Sequence, residues 1–326
     1  MFVPIGKSKH NWEDYSLLFP SICVGNVGQL TIDLIIYSLK AVKIGYFYHD
    51  SLLALVGNDP YSEYNEHAGK LMLSSEIYED KINKYIIIQQ RSPFSKGRRG
   101  TFRKFLISWI KQYKFSKIIN LSATFSYIRN DQQLKSIPLR FLCSSQIEDK
   151  YYRYLTDNLK WIHLEESDNN DTQVSEQGIK TPDKQNIMRE EIINDGFEDL
   201  SIDTNQQKLF TNLVKSIDLS NNKSDNDFVA LTTIKYTIQG GGISQKLFQD
   251  CCKEDIPILI LLKFCDEGDN TDDAIQLANY FNQLANLKFP SNDICYQNLT
   301  NKGHIWAIPP SWKLFFGNTN PPNFIY

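Results

Sequence analysis

The sequence predicts an α/β fold, a mainly parallel sheet with helices on both faces, and three observations carry that expectation. Apolar runs rich in Ile, Leu, Val, Phe and Tyr recur at 17–24 (LLFPSICV), 43–48 (KIGYFY), 84–90 (KYIIIQQ), 117–123 (KIINLSA) and 256–263 (IPILILLK). Runs this continuous read as strands buried on both faces, the habit of parallel sheets. Stretches with apolar residues at helical spacing lie between them, and strands alternating with helices give layered α/β architectures. From Glu165 to about Asp227 the pattern is interrupted by Asp, Asn, Ser, Lys and Gln in bulk, with only short apolar patches at 187–193 and 209–219. A segment of that composition buries little, so 165–227 is expected to be a mobile insertion in one domain spanning 1–326, with a weak helix at 206–217.

Taken in order, the first strand runs into Gly25-Asn26-Val27-Gly28 and then a helix over 28–40, whose Leu30, Leu34, Ile35 and Leu39 share a side. A strand turning through glycines into a helix is how many proteins cradle phosphate. Here the third glycine of a dinucleotide fingerprint is missing, and Gln29-Leu30 stands where a P-loop has Lys-Ser/Thr. The preferred reading is a tight corner, with Asn26 left-handed and Gly28 permitting close packing. After the strand at 84–90, SPFSKGRRGTFRK (92–104) gathers Lys96, Arg98, Arg99, Arg103 and Lys104. On a chain of net charge −3 this basic loop reads as solvated, or as facing an acidic protein surface, rather than as a nucleic-acid site. Phe102, Phe105, Leu106, Trp109, Ile110 and Tyr113 then mark a helix over 102–113.

Beyond the strand at 117–123, SYIRNDQQLKS (126–136) is polar where open α/β sheets place active sites, which makes Arg129, Asn130 and Asp131 the best catalytic candidates. An ion-paired loop explains them as well. Gly240-Gly241-Gly242 precedes ISQKLFQDCC and reads as a helix start with Ser244 as N-cap, with an anion nest as the alternative. FCDEGDNTDDAIQLANYF (264–281) imitates a calcium loop but puts Thr271 where glycine is required and Leu277 where the bidentate glutamate belongs. Asp272 and Asp273 instead fit the first turn of a helix capped by Asn270 or Thr271. The five histidines (His10, His49, His67, His163, His304) form no recognisable nucleophile motif.

Of the 326 residues 41% are hydrophobic and 13% aromatic, enough for a sizeable core. The six cysteines show no C-x-x-C, so free thiols are expected rather than disulfides or zinc. No run approaches the ~18 apolar residues of a membrane helix, and MFVPIGKSKHNW lacks a signal-peptide core. A soluble, intracellular protein is the expectation, without nucleic-acid or membrane partners. WAIPPSWKLFFGNTNPPNFIY (306–326) ends in an extended, proline-containing aromatic tail over 317–326, shaped to reach a partner.

FVP near the start, LLFPSICVGNVGQLTIDLII, KIGYFYHDSLLALVGNDPY, RSPF, SYIRNDQQLKSIPLRFL, GGGISQKLF, ILLKFCDEGDNTDDA and WAIPPSWKLFFG together resemble the proteasome assembly chaperone 2 family, in the family's order. The resemblance implies a fold similar to nucleoside phosphorylases without their catalytic chemistry, and no cofactor. It implies a chaperone of 20S proteasome assembly, cytoplasmic and nuclear, that pairs with proteasome assembly chaperone 1 to bind and organise the α-ring. It also implies a C-terminal hydrophobic-Tyr-any tail inserted between proteasome α subunits. This chain ends Phe324-Ile325-Tyr326, with the tyrosine one place late, and these three are the candidate partner-binding residues. The alternative is a phosphorylase-like enzyme holding phosphate or nucleoside at the Gly25–Gly28 or Gly240–Gly242 loops.

Overall fold

The structure, a computed structural model, describes residues 1–6, 11–62, 70–166, 236–290 and 305–314. In chain order the strands and helices are β1 (Phe2–Pro4), β2 (Ser16–Pro20), α1 (Val27–Leu39), β3 (Val42–Phe47), β4 (Val56–Asn58), β5 (Leu71–Leu73), β6 (Ser75–Asp80), β7 (Tyr85–Gln90) and α2 (Arg99–Tyr113). There follow β8 (Lys117–Phe125), α3 (Asp131–Leu134), β9 (Leu139–Cys143), α4 (Asp149–Arg153), α5 (Ser244–Lys253), β10 (Ile258–Cys265) and α6 (Thr271–Ala285). An eight-stranded sheet runs β1-β3-β6-β7-β2-β8-β10-β9, and β4 and β5 form a separate antiparallel pair.

The sheet is mixed rather than mainly parallel. Its centre, β7-β2-β8-β10, is parallel throughout. Outside it β6 runs against both β7 and β3, β1 runs against β3, and β9 against β10. The antiparallel step at β6–β7 follows from the short turn joining them, because only antiparallel neighbours can be linked so closely. Lys84 supplies its left-handed residue at φ 56°.

Alternation along the central strands splits the core into two layers. Leu18, Ile87, Ile119, Leu121, Leu259 and Leu261 meet α1 and α6 through Ile32, Ile35, Leu277 and Phe281. Their neighbours Leu17, Ile86, Ile118, Ile258 and Ile260 meet α2 and α5 through Leu106, Trp109, Ile110 and Leu247. Side chains of this kind contribute ~1.5–3 kcal/mol each when fully buried, so the helices are held mainly by packing. On the α2 side Phe2 of β1 joins Trp12, Trp109 and Tyr113 in an aromatic cluster with ring centroids 4.6–6.4 Å apart. That contact fastens the N-terminal strand to the body.

β9, the last strand of the sheet, is covered by the segment after α4: Phe141 N–H donates to Ile162 O at 3.1 Å and Leu164 N–H donates to Phe141 O at 2.8 Å. Most of the expected 165–227 insertion, with its 206–217 helix, lies outside the described residues. The chain on either side of it converges, because the His163 and Tyr236 rings pack with centroids 5.6 Å apart. The tail at 317–326 also lies outside the described residues. The chain leading to it is anchored by buried Trp312 and by Ser311 N–H donating to Pro60 O at 3.2 Å.

Candidate functional site

Parallel strands β2, β7, β8 and β10 end at one edge, where an α/β sheet of this kind would hold a ligand. Both glycine clusters lie there, and they close on each other. Gly25 and Asn26 take left-handed φ values of 62° and 52°, and the Cα of Gly28 sits so near β8 that a Cβ would lie 2.6 Å from Leu121 O. The Gly28 N–H is turned to the Cys23 sulfur at 3.4 Å, and Val24 N–H donates to Gly240 O at 2.8 Å. Gly242, at φ 64°, presses on the same loop, where a Cβ would fall 2.3 Å from Ile22 O. The corner reading holds for Gly25–Gly28, and Gly240–Gly242 lead into α5 as a helix start.

Beneath them the crevice is filled with polar side chains that satisfy one another. Ser244 and Ser21 share a 2.7 Å hydrogen bond, Ser244 donates to Asn120 Oδ1 at 2.7 Å, and the Asn120 amide donates to Phe19 O at 3.3 Å. All three residues are buried. Ser244 is therefore not the N-cap expected of it. Ile243 occupies that position and Ser244, one residue into α5, turns inward, because Asn120 in the middle of β8 needs a partner. Further ties close the edge, Ser122 Oγ to Gly241 O at 3.2 Å and Thr124 Oγ1 to Gln239 O at 2.7 Å. Asn270 packs into the space that Gly25 leaves for want of a side chain.

An open concavity lies at this edge, a shallow cleft of about 360 Å³ lined among others by Ser126, Arg129, Lys263, Asp266, Asp269 and Asp273. Several of its polar and charged groups hold structure in place. Buried Lys263 donates to Asp273 at 2.7 Å and to Phe264 O at 2.8 Å, and Ser126 donates to Asp266. Asp269 caps α6 by accepting from the Thr271 N–H and hydroxyl at 3.1 and 2.7 Å. Of the three catalytic candidates, Arg129 alone lines the cleft, braced against Gln133 O and Ser136 O, with its guanidinium 5.1 Å above the Phe264 ring. Asn130 forms a capping box with Gln133, and Asp131 opens α3. The three do not form the ion pairs expected of this loop among the described residues; backbone carbonyls, the Phe264 ring and a helix cap hold them instead.

His49 packs on Phe102 and Phe105, and His163 on Phe141, away from the cleft; His10, His67 and His304 lie outside the described residues. Burial pushes the Cys23 thiol up to about 11 and, together with Cys23, pushes Cys265 up to about 12, so neither is a thiolate at neutral pH. Among the described residues no group of three His, Cys, Asp or Glu side chains is placed to hold a metal, and no helix is long and apolar enough to cross a membrane.

Sequence reasoning missed the network beside the end of β7. Arg91 grips Asp33 with both terminal nitrogens at 3.0 and 2.6 Å, and the same carboxylate accepts from Tyr61 at 2.6 Å and from Gln89 at 2.7 Å. Burial and the Asp33 charge raise the Tyr61 phenol well above its usual range, which keeps it a donor. A carboxylate in the apolar run LTIDLIIYSL was the signal to follow. The network ties α1 to the sheet and to residues 59–62.

A family profile described as the PAC2 family matches residues 19–297. The chain belongs to the PAC2 family. Relatives called Proteasome assembly chaperone 2 match this PAC2-family chain from end to end: the Xenopus laevis protein is 34% identical over 323 residues and the Homo sapiens protein 33% over 322, each covering 99% of both chains. The Nematostella vectensis protein is 30% identical over 286 residues, 86% of this chain and 94% of its own. Among solved structures, Pyrococcus furiosus PbaA, described as an archaeal homolog of proteasome-assembly chaperone, covers 86% of this chain and 85% of its own at a TM-score of 0.51. At 12% identity that likeness speaks for the PAC2 fold alone.

Proposed function

We propose that this chain is a non-enzymatic chaperone of 20S proteasome assembly, acting in a heterodimer with proteasome assembly chaperone 1 to bind and organise the α-ring. The observation that carries the reading is the end-to-end correspondence with relatives called Proteasome assembly chaperone 2, at 31–34% identity over 98–99% of both chains for six of them. The edge of the sheet supports it: the crevice in which a phosphorylase-like enzyme would hold phosphate is occupied by Ser21, Asn120 and Ser244. A fold similar to nucleoside phosphorylases is part of this reading, with the parallel centre β7-β2-β8-β10 in its favour. So is work in cytoplasm and nucleus, where proteasomes are to be assembled.

Contact with the ring falls to the body surface and to Phe324-Ile325-Tyr326. Pro321 and Pro322 restrict the approach to these residues, so less freedom is lost when the end docks. Co-expression tests the whole reading. The chain is expected to purify as a 1:1 complex with proteasome assembly chaperone 1 and to bring α subunits with it. Removal of Phe324–Tyr326 is expected to weaken ring binding while leaving the heterodimer intact. A rise of several degrees in melting temperature with millimolar phosphate or nucleoside would favour the enzyme instead.

A further inference from the structure

Nine of the fifteen large apolar side chains exposed among the described residues lie on or beside β1, β3 and the β4–β5 pair. Backbone bonds of β1 join Ile5 N–H to Ile44 O at 2.7 Å and Tyr48 N–H to Met1 O at 2.9 Å, so Phe2 and Pro4 turn their backbone outward. Phe2 points its ring into the cluster on the α2 side, which puts Val3 and Ile5 on the opposite face. On that face α1 packs over β2, β7 and β8 and α6 over β10, leaving β1 and β3 beyond them. Beside these strands stands the β4–β5 hairpin, held by Leu73 N–H to Glu76 Oε1 at 3.3 Å and by Ser74 Oγ to Leu53 O at 2.8 Å. Val56 is 64% exposed, Leu71 54%, Ile5 49% and Leu53 46%. Apolar side chains left in solvent in this number at one end of a sheet mark a site of association.

The margin of this surface is basic. The 92–98 loop runs along it, with Leu53 N–H donating to Pro93 O at 3.1 Å and Ser95 N–H to Ser51 O at 2.8 Å. From that loop and the start of α2, Lys96, Arg98 and Arg99 stand exposed, and none forms an ion pair among the described residues. The first turn of α2 carries no acidic residue, so the positive end of the helix adds to their field. By contrast Arg103, one turn on, is paired with Asp250 at 2.8 Å.

We infer that the β1–β3 face and the β4–β5 hairpin form the docking surface for the companion chain of the heterodimer, which presents an apolar centre flanked by carboxylates to Lys96, Arg98 and Arg99. The inference rests on the assembly reading and adds the surface and its chemistry. An apolar centre with a charged margin is the anatomy of a stable interface, and an unpaired cationic margin selects an anionic one. Docking is onto the face and not by strand addition, because Pro4 offers no N–H on the open side of β1.

Three full-length variants are to be co-expressed with proteasome assembly chaperone 1: Lys96→Glu/Arg98→Glu/Arg99→Glu, Val56→Ser/Leu71→Ser, and Tyr152→Ser/Tyr154→Ser as a control. The first two sets are exposed, so far-UV circular dichroism and melting temperature are expected to stay at the wild-type values. Each of the two is expected to weaken the complex tenfold or more, and the charge reversal also to flatten its salt dependence. The control is expected to change affinity less than about twofold. Hydrogen exchange at 53–57 and 71–73 is expected to slow in the wild-type complex. If wild-type chain and companion form a complex that either patch variant leaves intact, or if those amides stay unprotected, this surface is not the interface and the assembly reading stands. If the wild-type chain forms no complex with the companion, the heterodimer itself fails and the inference with it.

Discussion

The two ends of this sheet treat polar and apolar groups in opposite ways. At the carboxyl edge, buried Ser21, Asn120 and Ser244 hydrogen-bond one another, and glycines 25, 28 and 242 let the loops touch backbone to backbone. At the β1–β3 end, Val56 and Leu71 lie more than half in water and Lys96, Arg98 and Arg99 lack acidic partners among the described residues. An α/β enzyme commonly does the reverse, keeping the carboxyl edge open for a ligand and covering its apolar faces. In this chain the glycine loops of the carboxyl edge close on each other, while apolar side chains at the other end are left in water.

The contrast can be broken or sharpened by substitutions at each end. The largest effect is expected of Asp33→Ala, which leaves the Arg91 guanidinium largely buried without its carboxylate and costs about 3–5 kcal/mol in urea unfolding. Gly28→Ala is expected to cost about 1–3 kcal/mol, since the new methyl meets Leu121 O and Ser21 O, both backbone atoms with no room to retreat. A Ser244→Ala loss of about 0.5–1.5 kcal/mol follows from removing the hydroxyl that bridges Ser21 and Asn120, which keep their own hydrogen bonds to each other; an unchanged melting curve would mean that water takes the place of the hydroxyl. At the other end Leu71→Ser is expected to move stability by less than about 0.5 kcal/mol while reducing self-association in light scattering. Smallest of all is the expected effect of replacing residues 168–224 by a short flexible linker, a change of no more than about 2 °C, because the His163–Tyr236 contact already brings the two ends together. A loss of several degrees there would mean that the segment packs on the body.

The parallel centre of the fold was legible because β2, β7, β8 and β10 bury apolar residues on both faces. The sequence hides β6 and β9 because each places charge where a strand should be apolar. Glu76 of β6 is fully buried against Lys43 at 2.8 Å and the Tyr78 hydroxyl at 2.8 Å. Arg140 of β9 is 1% exposed and answered by Glu165 at 2.9 Å. The ion-pair partners lie 33 and 25 residues away, beyond the reach of any periodicity. Missing these two strands is what made the sheet read as mainly parallel. The glycine corners were legible because a left-handed or close-packed position narrows the choice of residue. The Ser21–Asn120–Ser244 cluster was not, since three small polar residues 99 and 124 positions apart announce nothing until the strands align.

The place of β10 has a consequence for how the protein is made. It lies between β8 and β9 and, among the described residues, is the one strand of the sheet that pairs with β9, yet it comes from chain that follows residue 236. When residue 165 leaves the ribosome, β8 is an open edge and β9 has no strand to pair with. The ribosome must add roughly 93 more residues before Ile258 arrives, on the order of 5–20 s at the usual pace of synthesis. A chain that cannot finish its sheet until about its last fifth is translated carries an open strand edge through synthesis, a hazard set by strand order and independent of the stability of the finished molecule.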